Sequence, residues 1–243
     1  MPANAAYDWD AFNSDDYVAH NYARLSDADR RILELLGEFF RHCEPRAGAR
    51  GVDVGSGANL YPALAMLPFC DEITLLEHSS SNLAWLRAQT AGFAPTWDAF
   101  WDVLAVHDEY RGIGDPRAAL AKRAEVRQAD LLDRPDLPAP YDMGTMFFVA
   151  ESFSTSLEEF RTALCRFCEM LRPGALFAIG FMENSQGYVV GGRDYPAVAV
   201  DAAVVSRVLT PLAAELDVAR IDMGDTPLRD GYTGMMLARG RVT

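Results

Sequence analysis

The sequence predicts an α/β fold, a doubly wound and mostly parallel sheet with helices on both faces. Three observations predict it. Short apolar runs alternate along the chain with segments of helical periodicity. The first of those runs, from Gly51, enters a glycine turn at Gly55 and Gly57 that opens a helix. Acids, Glu77 and Asp130, close the next two runs. Ligands of such sheets bind beyond the carboxyl ends of the strands, so functional residues are expected just after strands.

Taken in order, Ser26 and Asp29 form a capping pattern ahead of Ile32, Leu35, Leu36, Phe39, Phe40 and Cys43, whose spacing gives a helix with one apolar face. After the first strand come a helix near 60–67, a strand over 73–77 and a helix over 80–89. The stretch 93–123 exceeds an ordinary connection and, with the aromatic run Trp97-Asp-Ala-Phe-Trp101, is expected to add helix. Strands follow at 126–131, 141–149 and 175–181. The helix between the last two starts near Ser156 and is expected to stop at Leu171-Arg-Pro-Gly174, where Pro and Gly turn the chain. Residues 198–216 read as helix, and 218–223 and 231–239 as a closing pair of strands. With no repeat or low-complexity linker, residues 1–243 read as one domain, a lid and helix over 1–48 and an α/β core over 49–243.

Composition narrows the classes. Half the residues are hydrophobic and 23% are charged, enough for one substantial core. The N-terminus has neither the basic nor the apolar region of a secretory signal, and no apolar run reaches membrane-span length, so a cytoplasmic protein is expected. A net charge of −13 weighs against nucleic acid as partner and would steer cationic ligands, although acidity often serves solubility alone. Cys165 and Cys168 form a C-x-x-C inside an expected helix with no second pair to complete a zinc set, and read as buried helix residues. Cys43, Cys70 and the four histidines are scattered, so no metal is expected.

Asp53-Val-Gly-Ser-Gly57 lets the backbone turn sharply and a ligand approach without a Cβ in the way. Glu77, at the second strand end, would accept hydrogen bonds from ribose hydroxyls, and Asp130, at the third, from an adenine amino group. A turn that merely closes a βα unit explains Gly55 but not the two acids as well. Together they point to an adenosine-containing cofactor. NAD is the rival, but the third glycine of the dinucleotide fingerprint is missing from Gly55-Ser-Gly57-Ala-Asn-Leu60. S-Adenosylmethionine carries no phosphate and does not require it.

Phe12-Asn-x-x-Asp-Tyr17 with Tyr22, Asp53-x-Gly-Ser-Gly57 with Tyr61, Glu77 followed by Asn82, the long segment before Asp130, and Leu171-Arg-Pro-Gly174 together resemble the nicotinamide, phenylethanolamine and indolethylamine N-methyltransferases, over nearly the whole length. The resemblance implies a Rossmann-like class I S-adenosylmethionine-dependent methyltransferase fold with a C-terminal antiparallel strand pair and an N-terminal helical lid. It implies that Gly55, Ser56 and Gly57 line the methionine part of the cofactor, with Tyr61, Tyr17 and Tyr22 around its carboxylate and sulfonium. Glu77 and Asn82 would hold the ribose, and Asp130 and Leu131 would flank the adenine. Phe147 stands where the family has a cofactor-contacting residue of another type.

On this basis residues 7–22, rich in Tyr with Trp9, read as a lid over a small substrate, against the plainer reading that they pin a helix to the core. Glu151 and Glu183, just after the fourth and fifth strands, are the candidate catalytic acids with Tyr17. A carboxylate pair there would attract an ammonium and accept its proton, and whether they bind or deprotonate the acceptor stays open, as does a pair of solvated loop acids. The walls of the substrate pocket are expected from the lid, 97–101 and 188–195. The expected function is methyl transfer to a small amine or nitrogen heterocycle. Carbon or oxygen methylation of an indole or phenol, or a silent nucleotide-binding member of the fold, are the alternatives.

Overall fold

The computed structural model describes residues 3–42, 47–133, 140–221 and 231–243, so Cys43 and the end of the expected strand at 222–223 lie outside the described residues. Asn13 accepts the Asp16 amide and starts helix α1 (Ser14–Asn21). Ser26 accepts the Asp29 amide at 3.0 Å, the expected cap of α2 (Asp27–Phe40), and donates its hydroxyl to the Asp29 carboxyl at 2.6 Å. The apolar stripe of α2 then packs against the core, where Ile32, Leu33, Leu36 and Phe40 are fully buried.

The α/β core continues through β1 (Arg50–Val54), α3 (Tyr61–Met66), β2 (Glu72–Glu77) and α4 (Ser80–Thr90). The long connection folds as three helices, α5 (Asp98–Leu104), α6 (Asp108–Arg111) and α7 (Pro116–Arg123). Then come β3 (Ala124–Gln128), β4 (Tyr141–Phe147), α8 (Leu157–Glu169), β5 (Leu171–Glu183), a hairpin of β6 (Tyr188–Val190) and β7 (Arg193–Tyr195), α9 (Ala202–Leu209), β8 (Ala213–Ile221) and β9 (Gly234–Val242). Seven strands form one sheet in the order β3-β2-β1-β4-β5-β9-β8. The first five are parallel, and β9 runs antiparallel to both β5 and β8. The strand order reverses between β1 and β4, which is where an open α/β sheet leaves a crevice for a ligand. One hydrophobic cluster, with α2, α3 and α5, covers one face, and another, with α8 and α9, covers the other.

Three elements differ from the sequence expectation. The Leu171-Arg-Pro-Gly174 segment does not separate a helix from a strand: β5 already pairs at Leu171, Arg172–Gly174 bulge out, and pairing resumes at Leu176. Pro173 has no amide to donate, and a bulge is where a ladder tolerates that. The helix expected over 198–216 is confined to α9, and Ala213 onward belongs to β8. A one-residue irregularity in β8, with Glu215 at φ 54, blurs the strand periodicity there. Trp97, Phe100 and Trp101 add helix as expected but are buried against Tyr22, Tyr61 and Tyr110 instead of walling a pocket. No helix among the described residues is long and apolar enough to cross a membrane.

Candidate active site

The turn after β1 is built by its glycines. Gly55 has φ +65, and a Cβ there would lie 2.7 Å from the Val149 methyls. Its amide and that of Ser56 donate to the Leu76 carbonyl at 2.8 and 3.1 Å, which draws the turn across the end of β2. Gly57, at φ +54, donates its amide to Glu77 Oε2 at 2.8 Å. Glu77 Oε1 accepts the amides of His78 at 2.7 Å and Ser79 at 2.8 Å. Burial raises the Glu77 pKa while these three amides oppose the rise.

A deep cavity opens above these strand ends. Its wall includes Tyr17, Tyr22, Gly55, Ser56, Gly57, Glu77, Asn82, Asp130, Leu131 and Phe147, ten of the residues expected from the sequence, now brought together. Ser14, the first residue of α1, donates its hydroxyl to Asn82 Oδ1 at 2.7 Å, and Asp130 takes the Leu132 amide at 2.8 Å with His78 3.8 Å away. Phe148, at φ 59, turns the end of β4 into the same cavity, a left-handed conformation that is costly without glycine.

Four expected residues stand behind or beside the wall. Asp53 is 1% exposed and accepts the Thr145 hydroxyl at 2.7 Å, while its other carboxyl oxygen has no hydrogen-bond partner among the described residues; burial pushes its pKa up to about 7. Tyr61 is fully buried against Tyr22 and Phe100. Glu151 is fully buried one residue behind the wall residue Ser152, and its Oε1 accepts the Met182 amide at 2.9 Å and the Ser152 hydroxyl at 3.1 Å. Glu183 faces elsewhere: its Oε2 takes Arg220 Nε at 2.8 Å and the Thr233 hydroxyl at 2.7 Å. The expected pair of acids at the acceptor is therefore not brought to the cavity. The spacing from each strand end gave their positions, but not their pairing partners on β5, β8 and the approach to β9.

Two segments meet beside the cavity. Residues 7–22 are tied to α4 by Ser14–Asn82, by the Ser81 hydroxyl on the Phe12 carbonyl at 2.8 Å, and by the Ser80 amide on Asp10 at 2.7 Å. The β6–β7 hairpin closes against that segment, with Tyr195 5.3 Å from Trp9, 5.2 Å from Phe12 and stacked on Tyr188 at 5.5 Å, centroid to centroid. Asp16 accepts the Gly191 amide at 2.7 Å. Part of the cavity wall is mostly apolar, with Trp9, Phe148, Phe153, Met182 and Met235 beside Tyr188 and Ser152.

Sequence reasoning missed Asn59, Ser152 and Asp29 as wall residues. Asn59 lies inside the quoted glycine run and was legible there. Asp29 was accounted for as a cap, which left no signal of a second role. The buried Tyr61 hydroxyl has a side-chain hydrogen bond with each of Asp29 and Asn59. Burial drives the Tyr22 and Tyr61 hydroxyls well above their ordinary range, so both stay neutral donors. A glycine cradle and a carboxylate on a strand end fit an adenosine ligand.

The chain matches the model of the NNMT/PNMT/TEMT family over residues 3–233. It is 27% identical to phenylethanolamine N-methyltransferase of Rattus norvegicus, covering 94% of this chain and 86% of that one. It is 24% identical to nicotinamide N-methyltransferase of Sus scrofa, over 79% and 80% of the two chains. Among solved structures it resembles the N-methyltransferase NodS of Bradyrhizobium japonicum in complex with S-adenosylhomocysteine, with a TM-score of 0.58, 15% identity and 89% and 88% of the chains covered. Strand order, strand-end acids and the match over nearly the whole length agree: the chain belongs to the NNMT/PNMT/TEMT family and is an S-adenosylmethionine-dependent methyltransferase.

Proposed function

We propose that this enzyme methylates the nitrogen of a small amine or aromatic nitrogen heterocycle. The observation that carries the reading is the meeting of two unlike half-sites under one lid. On one side the glycine turn, Glu77 and Asp130 stand at three consecutive strand ends; on the other, an aromatic and methionine-lined wall suits a flat or arylalkyl acceptor.

The cofactor's sulfonium supplies an electrophilic methyl group. The protein's task is alignment, which can supply up to about 7–11 kcal/mol of a barrier. In this reading Glu77 receives the ribose hydroxyls, Asn82 steadies their surroundings, and Asp130 and Leu131 flank the adenine. Tyr17, on the wall beside Phe12 and Tyr22, offers a ring to the positive charge of the reacting centre. Glu151 acts through Ser152: the serine hydroxyl at the wall accepts from the acceptor N–H while it donates to the carboxyl behind it. Glu183 is left as a tie between strand ends, held by Arg220 and Thr233.

The test is methyl transfer to a pooled panel of arylalkylamines, pyridines, indoles and phenols, read by product mass and fragmentation. An N-methylated product supports the reading. A carbon- or oxygen-methylated product overturns the acceptor assignment, and turnover undiminished in Glu151→Gln and Ser152→Ala overturns the proton route.

A further inference from the structure

We propose that Tyr188 is a positioning residue for methyl transfer: its hydroxyl ties the β6–β7 hairpin to Ser152 and so aims the serine hydroxyl at the acceptor nitrogen. The inference rests on the proton route through Ser152 and Glu151 and adds the group that sets its geometry.

Ser152 sits between β4 and the Ser156 cap of α8, outside both elements. Its own turn holds it only through its amide on the Val149 carbonyl at 2.9 Å and its hydroxyl on Glu151 Oε1 at 3.1 Å. A group that must meet a reacting atom needs firmer placing, since a displacement of about 1 Å can cost on the order of 100-fold in rate. Three further bonds reach this turn from the other side of the cavity. The Met182 amide, on β5, donates to Glu151 Oε1 at 2.9 Å. The Val198 amide, past β7, donates to the Glu151 carbonyl at 2.8 Å. The Tyr188 hydroxyl donates to the Ser152 carbonyl at 3.2 Å. Met182 and Val198 flank the hairpin, and both act on Glu151. Tyr188 belongs to the hairpin itself and acts on Ser152.

The ring and the hydroxyl of Tyr188 have separate tasks. The ring lines the cavity and stacks on Tyr195, which meets Trp9 and Phe12 of the N-terminal segment. Phenylalanine would serve for that contact. The hydroxyl adds one donor, spent on a backbone carbonyl at the edge of the cavity. At 3.2 Å the bond is long for a hydroxyl donor, so it contributes little to stability. What it fixes is direction. Through Tyr195 and Tyr188, the seating of the hairpin against the N-terminal segment is passed on to the residue that faces the acceptor.

Steady-state kinetics with phenylethylamine, whose ammonium must lose a proton before it reacts, tests this role. Tyr188→Phe keeps the ring and removes only the hydroxyl. It is expected to lower kcat about tenfold and to change KM for phenylethylamine and affinity for S-adenosylhomocysteine by less than about threefold. In a Ser152→Ala background the same substitution should change kcat by less than about twofold, because the hydroxyl it aims is gone. With pyridine, whose nitrogen carries no proton to remove, Tyr188→Phe should leave kcat unchanged. An equal loss of kcat in both backgrounds, an equal loss with both acceptors, or a loss confined to KM overturns the proposal and leaves Tyr188 as a ring on the wall. Should Ser152→Ala fail to fold, Ser152→Cys, a weaker acceptor of similar size, takes its place in the cycle. The two readings fail apart. Undiminished phenylethylamine turnover in Ser152→Ala sinks the proton route and this inference with it. A slow Ser152→Ala beside an unimpaired Tyr188→Phe sinks the positioning role alone, and a wild type that methylates neither acceptor sinks the acceptor reading itself.

Discussion

The Glu77 carboxyl accepts the amides of Gly57, His78 and Ser79, and so holds the glycine turn and the start of α4 together before any ligand arrives. Glu77→Gln keeps one acceptor oxygen but turns an amide donor toward a backbone donor. We expect about 1–3 kcal/mol of lost stability and a tenfold or greater loss of S-adenosylhomocysteine affinity, measured by denaturant titration and calorimetry. Asp53 makes a different prediction. Its folded pKa of about 7 stands above the ordinary aspartate value of 3.8, raised first by burial, against which Thr145 and Ser56 pull it down. A raised carboxyl pKa means the folded state holds the proton more tightly. That contribution is complete below pH 4, is lost as pH climbs toward 7, and reaches roughly 4 kcal/mol at about 1.4 kcal/mol per unit. Asp53→Asn cannot lose it. The difference in unfolding free energy between variant and wild type should therefore move in the variant's favour as pH rises from about 4 to about 7 and then level off. A difference that stays constant across that range would contradict a buried, titrating Asp53.

Among the elements, the N-terminal segment and the β6–β7 hairpin bear on the cavity separately. The N-terminal segment is tied to α4, while the β6–β7 hairpin touches it chiefly through Tyr195. The exposed Arg193–Asp8 pair at 3.7 Å adds little beside that aromatic contact. Tyr195→Ala should raise KM for the acceptor about tenfold or more and change S-adenosylhomocysteine affinity by less than about threefold, because Ser14–Asn82 still holds α1 in place. Comparable losses in both would mean that the two segments move as one. The parallel strands and the glycine turn were legible because buried strands and φ-positive glycines leave local marks in a sequence. The course of β5 through Pro173 and the short α9 were not, since a bulge and an edge strand depend on partners distant along the chain. The same limit applies to the acids. Glu77 keeps its place at a strand end and meets the turn beside it, whereas Glu183 meets Arg220, which no local pattern links to it.

At the scale of the whole molecule, the cavity lies where both hydrophobic clusters stop, at the carboxyl ends of the parallel strands. Its wall takes residues from the N-terminal segment, α2, the turn after β1, the ends of β2 and β3, the end of β4 and both β5 and β9. A ligand seated there bridges parts of the chain that unfold apart, and it binds only when all are assembled. Binding of this kind stabilises by RT ln(1 + [L]/Kd), about 2.7 kcal/mol at a ligand concentration 100 times Kd. For a chain of 243 residues, each kcal/mol shifts the melting temperature by roughly 2–4 °C. Saturating S-adenosylhomocysteine should thus raise it by roughly 5–11 °C, while NAD, which would need close approach of a pyrophosphate to a third glycine the turn lacks, should leave it unchanged. A thermal melt with each ligand makes the comparison directly. A shift with NAD and none with S-adenosylhomocysteine would mean that Glu77 and Asp130 serve another nucleotide, and the methyl-transfer chemistry of the cavity would fall with that result.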